Sequence, residues 1–210
     1  MSSSADASEL SRGGRLPRSA RRKQLLAAAQ EVFVANGYHA AAMDDIALRA
    51  GVSKPVLYQH FPGKLELYLA LLDVQTEALA DAVIAALEGT TDNQQRIHGV
   101  LSAYFGFVAR DDHDGAFRLI FESDLVNDPA VRRRVESVTE KTMLAVAAAV
   151  AGDTGLGEAE AKLLSTALTG AAQVAARWWL DSDRPVSQDA AVHLLESLLW
   201  RGISNFPRQP

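Results

Sequence analysis

Apolar residues recur at helical spacing along nearly the whole chain, and no stretch sustains the apolar–polar alternation of a half-buried strand. Alanine, leucine, glutamate and arginine, all good helix formers, are prominent throughout. The pattern predicts an all-α fold. Punctuation by Gly, Pro, Asn and Asp divides it into about nine helices. The first runs from about Pro17 to Asn36, where Asn36-Gly37 stops it, and the second from about Met43 to Ala50. A third is capped by Ser53 with Pro55 in its first turn, and a long fourth runs from Lys64 to Leu87. Five more are expected near 93–110, 115–126, 129–151, 157–181 and 187–205. Three segments follow: a Ser/Gly-rich disordered tail over 1–14, a small helical unit over 15–63, and a larger helical unit over 64–205. With 48% hydrophobic residues among 210, the chain can bury a core without covalent staples.

Several classes of function are excluded early. The absence of cysteine removes disulfide scaffolds, thiolate metal sites and cysteine nucleophiles. No uncharged apolar run approaches the ~20 residues of a membrane span, and the first residues lack the basic start and apolar core of a secretory leader, so a cytoplasmic location is expected. Asp111, Asp112, His113 and Asp114 are consecutive and lack the spacing that converges on one ion, so no metal is expected. Gly152, Gly155 and Gly157 follow no strand and imply no phosphate loop. The remaining histidines are scattered, and no serine stands in a nucleophile elbow. Neither an enzyme nor a cofactor is expected.

The net charge of −5 conceals an asymmetry. Residues 1–64 carry nine Lys/Arg against five Asp/Glu, and the remainder is strongly acidic. Arg12, Arg15, Arg18, Arg21, Arg22 and Lys23 form a stretch free of acids, suited to a polyanion or to plain solvation. Just beyond it, two short helices joined at Gly51-Val52-Ser53 have the dimensions of a helix-turn-helix. Ile46, Ala47, Ala50, Val52, Leu57 and Phe61 supply its interior, and Gly51 suits a positive φ in the turn. At 100° per residue, with Leu57 inward, Pro55, Val56, Tyr58 and Gln59 occupy the outward arc. That face suits a major groove. Pro55 and Val56 match thymine methyls, Gln59 matches adenine N6/N7, and Lys54 reaches guanine O6/N7. Tyr58, His60 and Lys64 are placed for phosphates. The competing reading is a helical small-molecule-binding or protein-interaction module whose basic corner meets something other than DNA.

Phe33-x3-Gly37-Tyr38, then Met43-Asp-Asp-Ile-Ala47-x2-Ala50-Gly51-Val52-Ser53-Lys54-Pro55-x-Leu57-Tyr58-x-His60-Phe61-x2-Lys64-x2-Leu67, resembles the DNA-binding region of TetR-type repressors. The resemblance implies a homodimer on a near-palindromic double-stranded operator, contacted through residues 43–64, which adds Met43 and Ser53 to the contact set. It also implies a repressor released by a small-molecule effector held in the remaining helices. Ala40-Ala41-Ala42 departs from the hydroxyl that often caps the second helix in that family. For the effector, the aromatic and polar residues His98, Tyr104, Phe105, Phe117, Phe121, Arg177 and Trp178 are the candidates, with a plain helical core as the alternative. For dimerisation, the small and apolar residues Leu168, Ala171, Ala175, Leu195, Leu198 and Leu199 of the last two helices are expected at a four-helix seam.

Overall fold

The computed structural model describes residues 16–109, 125 and 127–202. The expected tail over 1–14 lies outside them, as do Phe117, Phe121, the Asp111–Asp114 cluster and nearly all of the helix expected at 115–126. Eight helices are present among the described residues. They are α1 (Arg18–Ala40), α2 (Met43–Arg49), α3 (Lys54–His60), α4 (Lys64–Glu88), α5 (Asn93–Ala109), α6 (Pro129–Thr154), α7 (Glu158–Asp181) and α8 (Gln188–Arg201). Among the described residues there is no strand, and no helix is long and apolar enough to cross a membrane.

Local chemistry sets most of these boundaries. α6 opens where the Asp128 carboxylate accepts the N–H groups of Ala130 (2.7 Å) and Val131 (3.3 Å), with Pro129 in the first turn, and it ends on Gly155 at φ 70°. The Ser187 hydroxyl accepts the Ala190 N–H at the start of α8. One boundary differs from the sequence reading. The first helix does break at Asn36-Gly37, where Gly37 takes φ 73° and ψ 168°, which only glycine adopts cheaply, but the chain kinks there and makes a further helical turn to Ala40.

A continuous apolar core extends from Leu25 in α1 to Val192 in α8. The central element is α4. Its first half presents Leu67, Tyr68, Leu71 and Leu72 to the small helices, and its second half presents Leu79, Ala80 and Val83 to the others. Each such large side chain contributes roughly 1.5–3 kcal/mol through its removal from water. Tyr68 sits in an aromatic cluster, 5.4 Å from Phe33 and 5.2 Å from Tyr38, and the Gln75 amide donates to Gln30 at 2.8 Å. α4 is therefore anchored on α1 at one end while its other end packs on α5 and α6.

Candidate nucleic-acid interface

The α2–α3 corner is built from its turn outward. Gly51 takes φ 64°; its N–H bonds the Leu48 carbonyl and the Val52 N–H bonds the Ala47 carbonyl, each at 3.0 Å. This paired closure ends α2 abruptly and redirects the chain. Ile46, Ala47, Ala50, Leu57 and Phe61 are then buried together, with Leu57 at 0% exposure and Phe61 at 1%. The Gln24 amide of α1 donates to the Ala50 carbonyl at 2.8 Å, and the Arg22 guanidinium stacks 4.4 Å over the Phe61 ring. Packing on both sides fixes the orientation of α3.

With Leu57 and Phe61 inside, Lys54, Pro55, Tyr58 and Gln59 stand exposed, while Met43, Val56 and His60 are half-buried at the margins. Ser53 occupies the N-cap position, but its hydroxyl makes no capping bond and stays exposed, contrary to the cap expected from sequence. The Lys54 ammonium lies 2.5 Å from the Asp44 carboxylate in the first turn of α2. That contact raises the lysine's pKa. His60 lies among the cations at the start of α1. Burial, then the charges of Arg18, Arg22 and Arg21, lower its pKa below the usual 6.5. Polar, apolar and cationic groups thus share one convex ridge.

Lys64, expected at a phosphate, here engages backbone carbonyls. Its ammonium donates to the carbonyls of Tyr38 (2.8 Å), Ala41 (2.9 Å) and His39 (3.1 Å) and lies 4.6 Å over the Tyr38 ring. All three donors are used to fasten the turn that follows the Gly37 kink. No local sequence signal indicates this, because the acceptors lie 23 to 26 residues upstream.

In the larger unit, a cavity of about 420 Å³ opens among the far end of α4, α5, α6, α7 and α8. Its wall is mainly apolar, with Ile97, Val100, Leu101, Val146, Val150 and Leu168 prominent, and Asn93, Arg96, Asp153 and Thr154 supply the polar groups. Arg96 is ion-paired to Asp153 and also donates to the Thr90 and Leu87 carbonyls at 2.8 and 3.1 Å, so it ties this cavity to the end of α4.

The described residues among those expected at the effector do not line it. Tyr104 and Phe105 are core residues, and Phe105 packs edge-on against Trp179 at 5.5 Å. His98 is half-exposed and bonds the buried Glu196 carboxylate at 2.9 Å. Arg177 pairs with Asp181, and Trp178 is 61% exposed. Phe117 and Phe121 lie outside the described residues.

Most of the residues expected at a seam on the last two helices are turned inward. Leu168 and Leu199 line the cavity, Ala175 and Leu195 pack partly buried against the core, and Ala171 is half-buried. Of that set only Leu198 is exposed. Large apolar side chains left in solvent include Leu163, Leu164, Val174 and Trp178 on α7, with Leu194, Leu198 and Trp200 on α8. On α7 the positions 163, 167, 171, 174 and 178 follow one helical stripe.

Known proteins agree with this architecture. Residues 25–71 match the family of bacterial regulatory proteins, tetR family, and residues 93–202 match the tetracyclin repressor-like C-terminal domain. The chain is 48% identical over 196 residues to the HTH-type transcriptional activator FasR of Mycolicibacterium smegmatis, spanning 93% of this chain and 89% of that one. Among solved structures, a TetR-like transcriptional regulator from Rhodococcus sp. RHA1 superposes with a TM-score of 0.70 at 30% identity, covering 91% of this chain and all of that one. The Bacillus subtilis regulator FadR, solved in complex with stearoyl-CoA, shares the fold at 19% identity and a TM-score of 0.71, over 86% of this chain and 98% of its own. The chain belongs to the TetR family of helix-turn-helix regulators of transcription, which are not enzymes.

Proposed function

We propose that the chain acts in the cytoplasm as a homodimer that reads a dyad-symmetric DNA site and leaves it when a small apolar effector binds. The observation that carries this is the ridge of α3. Lys54, Pro55, Tyr58 and Gln59 project from a helix whose orientation is fixed by the buried Leu57 and Phe61. In this reading Gln59 pairs with adenine, Lys54 with guanine, and Pro55 and Val56 meet thymine methyls, while Met43, Ser53, Tyr58 and His60 approach phosphates. Arg18, Arg21 and Arg22 extend the positive surface beside His60.

The second subunit seats on the stripe of Leu163, Val174 and Trp178 with Leu194 and Leu198, large apolar side chains that stand exposed on the last two helices. Two α3 helices related by that axis enter major grooves one helical turn, about 34–36 Å, apart.

The effector occupies the cavity of about 420 Å³, a volume suited to a small molecule rather than a macromolecule. Arg96 lines it and holds the end of α4, and α4 reaches α1 through Tyr68 and the Gln75–Gln30 bond. A ligand that prefers one arrangement of Arg96 therefore biases the placement of the DNA-reading unit. A coupling of about 1–3 kcal/mol weakens DNA binding roughly 5–150-fold. As to the sign of control, we read activation in place of the repression expected from sequence, because a relative matching 93% of the chain is named a transcriptional activator.

Selection of bound sequences from a random duplex library, using the full chain, tests this reading. A consensus with dyad symmetry and half-sites one turn apart is expected. Recovery of unrelated sequences, or none, would overturn it in favour of the interaction-module reading.

A further inference from the structure

The Lys54 ammonium is the cation best placed on α3 to reach a base edge, yet it lies 2.5 Å from the Asp44 carboxylate, and both side chains are about 60% exposed. An ion pair so open to water adds little to stability, so the fold does not depend on it. Its cost is felt on the DNA-reading surface. Asp44 places a negative charge on the face that approaches a polyanion, and it occupies the lysine most available to a passing phosphate. A phosphate that takes this ammonium must displace one carboxylate and then tolerate it nearby. A guanine edge in the correct register offers two acceptors from inside the groove, and so has more to exchange for it.

Resting on the DNA-binding reading above, we propose that Asp44 is an affinity-limiting residue of the α3 surface: a base or phosphate that takes the Lys54 ammonium must first break its pair with Asp44. Asp44 weakens DNA binding without touching the operator itself. Asp45, its neighbour, is likewise exposed on the same turn and carries the same charge, which makes it the internal control.

The test measures affinity of the full chain for its selected duplex and for random duplex, over a series of salt concentrations. Wild type, Asp44→Asn, Asp45→Asn, Lys54→Ala and Asp44→Asn/Lys54→Ala are compared. Asp44→Asn is expected to tighten selected-duplex binding about 5–20-fold for a dimer, from two exposed pairs each worth a few fold, and random-duplex binding by no more than that. It should also steepen the salt dependence on random duplex by up to about 0.9 per freed lysine. Asp45→Asn should not reproduce the effect, and Lys54→Ala should abolish it. The inference is overturned if Asp44→Asn leaves selected-duplex affinity unchanged. It is equally overturned if Asp45→Asn acts as strongly, or if the gain survives in the Lys54→Ala background. A wild type that binds neither duplex removes the DNA reading and this inference together.

Discussion

Lys64→Met separates two employments of the same side chain. Methionine keeps the length and apolar stem of lysine but removes the ammonium and its three bonds to Tyr38, His39 and Ala41. A hydrogen bond to a charged group contributes about 1.5–3 kcal/mol, and the sum is not additive. The His39 carbonyl is exposed and rehydrates freely; those of Tyr38 and Ala41 are part-buried and lose more. The contact with the Tyr38 ring adds about 0.5–1 kcal/mol. Allowing for the desolvation that the ammonium no longer suffers, the net loss is about 3 kcal/mol. For a chain of this size that lowers Tm by roughly 6–12 °C. Thermal unfolding followed by circular dichroism reads it directly. The companion measurement is the salt dependence of DNA binding, which should keep its slope because Lys64 holds backbone and not phosphate. An unchanged Tm together with a salt slope shallower by about 0.9 per subunit would refute the reasoning and return Lys64 to the phosphate contact expected from sequence.

Other perturbations follow from the same geometry. Burial and three arginines lower the His60 pKa below 6.5 in the free chain, and a phosphate beside it raises the value, so binding takes up protons. DNA affinity should therefore rise as pH falls from the raised bound pKa to the lowered free one and level off on either side, and His60→Asn should flatten the profile in fluorescence anisotropy. Val174→Glu with Trp178→Glu places two carboxylates on the exposed stripe; sedimentation should show a monomer, and a dimer that persists would move the seam elsewhere. Ala149→Trp projects a large ring into the cavity and should abolish the binding of 1-anilinonaphthalene-8-sulfonate by the folded chain while leaving random-duplex affinity intact. Retained dye binding would place the apolar site elsewhere.

Helix limits were legible in the sequence at Asp128-Pro129 and Pro62-Gly63, whereas α6 runs through Gly152, past the end expected at 151, to Gly155. Local periodicity was enough for α3 as well, because Leu57 and Phe61 face inward together and their spacing fixes what faces outward. The larger unit resisted the same treatment for a physical reason. Its cavity draws residues from five helices, from Leu87 to Trp200, and aromatic content does not mark it, since its wall is mostly aliphatic with Trp200 at one side. Trp178 and Trp179 show the difficulty sharply. Adjacent on α7, they lie 100° apart on the wheel; Trp179 is buried with its indole N–H on the Val186 carbonyl at 2.8 Å, and Trp178 is exposed. Composition cannot distinguish them. Likewise Leu168 and Leu198 read as one apolar face, but tertiary packing turns the first toward the cavity and leaves the second in solvent.

The role assigned to α3 is tested most directly by measuring affinity of wild type and Gln59→Ala for the selected duplex and for each of its single-base-pair variants. The account predicts that Gln59→Ala loses about 1–3 kcal/mol at one symmetry-related pair of positions and becomes indifferent to the base there, with random-duplex affinity unchanged. Equal weakening on every sequence, or no change at any position, would contradict it.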